Sequence, residues 1–169
     1  MDILKTAIDW TKAEMLSSAI FVLFGVAFVL ASYGFWHIGK TGVARAYVIP
    51  TLIAGALLLV LGLGLFFLSQ ARVSGFAAAH ASDAAAFVAA EIERADRVLN
   101  DYRIAVFKVI PIMISVSALL IIFLNSPIWR ASVITAIAML AVILMIDTNA
   151  SARLEIYKDK LTAAAGGGA

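Results

Sequence analysis

The sequence predicts an all-α integral membrane protein: four transmembrane helices in an antiparallel bundle, with helical extensions that form a second, cytoplasmic bundle. Three observations carry that prediction. Apolar residues make up 63% of the 169 residues and charged ones 14%, with a mean hydropathy of +1.01, a composition that a water-exposed surface cannot accommodate. Four apolar stretches, at about 18–38, 48–68, 105–124 and 128–146, each have the roughly 20 residues needed to cross a hydrocarbon core. The charges lie mostly between those stretches, in segments at 2–15, 69–81, 82–104 and 147–163 that keep a largely helical repeat of apolar residues.

The chain opens on such a segment. Leu4, Ile8, Thr11 and Met15 recur at helical spacing, with Asp9, Lys12 and Glu14 mostly on other faces, and Trp10 is suited either to packing or to anchoring at the interface. Mixed charge ahead of the first apolar run, and no small-residue cleavage site closely after it, argue against a cleavable leader. The first span is therefore expected to stay in place.

The first two spans are joined by the short turn GKTGVARAY and read as a hairpin. Gly25 and Ser32 in the first span and Gly55 and Gly62 in the second recur every seven residues. Helices in lipid associate by close packing, so these small residues are the expected contact. Counting outward from a turn centred near Val43 sets Ser32 level with Gly55 and Gly25 level with Gly62.

Beyond the second span, SQARVSGFAAAHA is compatible with helix except around Ser74 and Gly75. His80 reads as a polar turn residue, and Ser82 and Asp83 as N-cap candidates for a long helix running to Leu124. In that helix Val88, Ile92, Ala95, Leu99 and Tyr102 form a heptad seam, the pattern of a helix lying against another helix, in the same chain or a different one. Asn125, Ser126 and Pro127 end it, and the fourth span continues into a charged helix with Ala150, Leu154, Tyr157 and Leu161 in register. The tail at 164–169 is expected to be flexible.

All basic residues except Lys40, Arg45 and Arg130 fall on the side of the termini and the middle connection. By the positive-inside rule that side is cytoplasmic, and the chain suits a bacterial inner membrane. The opposite surface then consists of two cationic turns. RAYVI, from Arg45, and RASVI, from Arg130, open the second and fourth spans and hint at a duplicated half.

Lys108 and Asp147 lie nearly equidistant from the turn at Pro127 and are expected to face each other near the cytoplasmic boundary, as an ion pair or a gate. Tyr33, Trp36, Tyr47 and Trp129 read as an interfacial aromatic belt. The absence of cysteine excludes disulfides and thiolate chemistry, and a net charge of +2 gives no case for nucleic acid. No metal-ligand motif, glycine-rich phosphate loop or nucleophile with a base is present, so no enzyme, cofactor or metal is expected. The functional expectation is a structural or accessory subunit that assembles with itself or with a partner membrane complex. The alternative is a homo-oligomeric ion channel or small transporter whose outer mouth carries Lys40, Arg45 and Arg130.

Overall fold

The computed structural model describes residues 3–166 and is helical almost throughout. Helix α1 spans Ile3–His37, α2 Gly42–Ala46, α3 Val48–Ser82, α4 Ala84–Ile104, α5 Ile110–Phe123 and α6 Pro127–Gly166, with a wide π-helical turn at Ala105–Val109 joining α4 to α5. Counting α2 with α3, and α4 with α5, four helical rods are long and apolar enough to cross a membrane. Each also carries a polar portion, and the polar portions all lie at the end of the molecule that holds the termini.

The breaks have local causes. At Asp83 the backbone is extended and its carboxylate accepts the Ala86 amide at 2.9 Å, so one residue ends α3 and caps α4. Ser82 instead closes α3, its hydroxyl donating to the Ala79 carbonyl. Pro127 opens α6, where a missing amide hydrogen costs nothing, and the proline disfavours helical geometry at the residue before it. Thr41 caps α2 through the Ala44 amide.

Two expectations need correction. Helix α3 does not break at Ser74 and Gly75 but runs through to Ser82; the alanine-rich flanks and the buried Phe76 outweigh a glycine penalty of about 1 kcal/mol. Residues 164–166 continue α6 and do not begin a loose tail, while the rest of that tail, like Met1 and Asp2, lies outside the described residues.

In the apolar half, α1 and α3 pack most closely, α6 lies against both, and α5 leans on α6 without a comparable contact to α1 or α3. A small core of Phe21, Leu58 and Ile146 forms where α1, α3 and α6 meet. In the polar half all four rods contribute to one larger core: Ala7 and Trp10, Phe76, Val88 and Ala95, and Leu154, Tyr157 and Leu161.

Candidate functional site

Gly25, Ser32, Gly55 and Gly62 all lie on the α1–α3 contact. A Cβ added at Gly55 would stand 2.8 Å from the Gly25 carbonyl oxygen, one at Gly62 2.8 Å from the Ser18 carbonyl oxygen, and one at Gly25 2.9 Å from the Leu59 amide nitrogen. The Ser32 hydroxyl donates to the Val48 carbonyl at 2.7 Å. The backbones thus approach within a distance that admits only glycine. Their register differs from the expected one: Gly25 lies level with Gly55 and Leu59, Gly62 with Ser18 and Phe21, and Ser32 with Val48. The reason is α2, a helical turn that takes up much of the connection and starts α3 below the tip of α1. The seven-residue spacing also extends past the span, to Ser69 on α3 and Thr11 on α1, both buried.

Lys108 and Asp147 form no ion pair among the described residues, which corrects the expected pairing. Lys108 is exposed in the π-helical turn, and Asp147 is half-buried on α6. The turn follows from Pro111, whose ring would collide with the carbonyl four residues back. The Ile110 amide reaches back five residues to the Ala105 carbonyl, and the inserted residue displaces everything beyond it from the face that α4 had presented. At the opposite end, the Arg45 Nε donates to the Gly39 carbonyl at 3.4 Å and an Arg130 Nη to the Ile121 carbonyl at 3.5 Å, while Lys40 is exposed. The two arginines thus serve the turns beside them.

The α4 seam turns inward. Val88 and Ala95 are buried, and Ile92, Leu99 and Tyr102 pack against the same core, supplied by this chain's own α1, α3 and α6. On the buried side of that helix sits Glu91, 7% exposed and held by several partners. Arg94 donates to both of its carboxylate oxygens, at 3.1 and 2.7 Å, the Tyr157 hydroxyl donates at 2.9 Å, and an Arg72 nitrogen stands 3.7 Å away. Tyr157 stacks on Trp10, with centroids 4.8 Å apart, and the Arg94 and Arg72 guanidinium carbons lie 4.7 and 5.5 Å from the Trp10 ring centre. One carboxylate, two arginines and two aromatic rings therefore join α1, α3, α4 and α6.

Next to it on α1 and α6 is a second, less complete group. Arg153 donates to the Ser17 hydroxyl and stands 3.6 Å from Glu14, but Glu14 Oε1 and Arg153 Nε are buried without a hydrogen-bond partner. The electrostatics of the two acids differ accordingly. Burial pushes Glu91 up, but hydrogen bonds and charge from Arg94, with help from Tyr157 and Arg72, outweigh it and hold the carboxyl below its ordinary value. For Glu14, burial outweighs Arg153, and its carboxyl is pushed up.

This arrangement is suited to holding helices together, because Glu91 has partners on both oxygens drawn from its own helix and from α6. Among the described residues no group of three or more histidines, aspartates or glutamates is placed to hold a metal. Sequence reasoning missed the cluster although a signal existed. Val88, Glu91, Ala95, Val98 and Tyr102 are also spaced as a helical seam, with a carboxylate on the buried face. Ser69, Arg72 and Phe76 continue the α3 spacing in the same way. The chain matches no protein-family model, no curated protein and no solved structure.

Proposed function

We propose that this chain is a non-enzymatic, multi-pass membrane protein of the bacterial inner membrane, with both termini cytoplasmic, that acts as a structural or accessory subunit. The observation that carries the reading is the Glu91 cluster, in which one buried carboxylate engages Arg94, Tyr157 and Arg72, with Trp10 stacked on Tyr157, so that four helices are joined. Such a network makes a stiff framework. The glycine contact of α1 and α3 supports the same reading within the membrane.

Because the α4 seam is covered by the chain's own helices, assembly falls to the lipid-facing side. The third span is the one with the fewest neighbours: α5 leans on α6 and leaves Ile112, Leu119, Ile122 and Phe123 exposed. A partner membrane helix, or a second copy, docks there in this reading. Native mass spectrometry of the protein, gently extracted from its own membrane at natural abundance, tests it. A defined complex, with other proteins or with further copies, is the expected result. A lone monomer contradicts the subunit reading, and a closed ring that conducts ions replaces it with the channel alternative.

A further inference from the structure

Between α4 and α6, on the face away from Trp10, runs an open groove of about 450 Å³. Its lining falls into rungs, because α4 and α6 are antiparallel and the ion pair of Lys158 with Asp96 fixes their register. At the span end stand Phe107, in the π-helical turn, and Thr148. Next come Arg103 and Ser151, then Asn100 and Glu155, and last Asp96, Lys158 and Asp159. Successive rungs are one helical turn apart, about 5 Å. Along the groove the chemistry therefore runs from apolar, to a guanidinium with a hydroxyl, to an amide with a carboxylate, and then to an ion pair flanked by a further carboxylate.

Arg103 and Glu155 take part in no ion pair with each other or with another side chain among the described residues, although they occupy neighbouring rungs. Two cations and three carboxylates line the groove, so a bare anion gains little there. A ligand whose phosphate is followed by its own ammonium meets a complementary charge at each step. The apolar end opens beside the exposed Phe107 and Val109, at the start of the third span, where acyl chains would lie.

We propose that this groove binds the headgroup of an aminophospholipid, a phosphoethanolamine lipid, with its phosphate on Arg103 and its ammonium on Glu155. The inference rests on the membrane reading above and adds a specific lipid partner to it. Arg103 holds the phosphate by charge-assisted hydrogen bonds, and Asn100 and Ser151 are polar neighbours on either side. The primary ammonium donates to the carboxylate, which a quaternary choline group cannot do.

The test uses the full chain in lipid nanodiscs containing equal amounts of phosphatidylethanolamine, phosphatidylglycerol and phosphatidylcholine. After mild detergent extraction, the retained lipids are weighed by native mass spectrometry. The expected result is enrichment of phosphatidylethanolamine, lowered roughly tenfold, the equivalent of one charge-assisted contact, in Arg103→Gln and in Glu155→Gln. Arg97→Gln, whose target is exposed and pairs with Glu93 outside the groove, is expected to leave the enrichment unchanged. All three substituted positions are exposed, and circular dichroism with a thermal melt checks that each variant keeps the fold. Enrichment that is absent, unchanged in both groove variants, or in favour of phosphatidylglycerol overturns the proposal. So does retention of added soluble phosphoethanolamine with no enrichment of the lipid. A chain that fails to enter nanodiscs overturns the membrane reading along with it, whereas one that enters without lipid preference overturns this inference alone.

Discussion

Glu91 illustrates how a single carboxylate can hold a helical framework together. Replacing it by glutamine removes the charge between Arg72 and Arg94 and leaves two guanidinium groups near Trp10 without their counter-ion. Allowing for the partial exposure of both arginines, Glu91→Gln is expected to cost about 2 kcal/mol. Thermal or denaturant unfolding in detergent micelles measures this. The acid side carries a second signature. Glu91 is held below its ordinary 4.5 in the folded chain, so its contribution to stability is complete above that value and is lost as the pH falls through the folded pKa. Glu14 has the opposite sign: raised in the folded chain, it lowers stability as the pH rises from 4.5 through its folded value. An acid titration of Glu91→Gln is therefore expected to lose less stability below pH 4.5 than the parent chain, and an identical profile would contradict this role.

At the scale of the element, the α1–α3 contact depends on glycine at three positions and is indifferent at others. Gly55→Ala sets a methyl 2.8 Å from the Gly25 carbonyl oxygen, while Gly64→Ala meets nothing within 4 Å. The first is expected to destabilise by roughly 1–3 kcal/mol and the second to be neutral or to stabilise by up to about 1 kcal/mol through helix propensity. Side-by-side melts of the two variants check the contrast. The elements themselves were largely legible in the sequence because their causes are local: a run of apolar residues, a capping aspartate at Asp83, a proline at Pro127. The register of α1 on α3 was not, because it depends on how residues 38–47 fold, and counting from the centre of a turn assumes a symmetrical loop. The failure to pair Lys108 with Asp147 has a similar origin. Counting residues back from Pro127 assumes a regular helix, and whether Pro111 bends that helix or widens one of its turns is decided by its surroundings.

At the scale of the whole molecule, the polar half is where sequence reasoning fell furthest short. The Glu91 cluster draws Trp10, Arg72, Glu91, Arg94 and Tyr157 from four helices, and no spacing within one helix links them. Its members could be suspected only by asking which charged residues fall on an apolar seam. What composition and charge did support is an arrangement with two dissimilar ends, one rich in paired charges around a shared core and the other made of two short cationic turns. The proposed subunit role, the lipid groove and the docking side all depend on that polarity across a membrane. Because the chain has no cysteine, single cysteines report it directly. With Lys40→Cys, Ser126→Cys, Ala85→Cys and Thr162→Cys in turn, a membrane-impermeant thiol reagent applied to intact cells is expected to label the first two. The last two are expected to react only after the membrane is opened. Labelling of Ala85→Cys or Thr162→Cys from outside, or of Lys40→Cys and Ser126→Cys from opposite sides, would contradict the account.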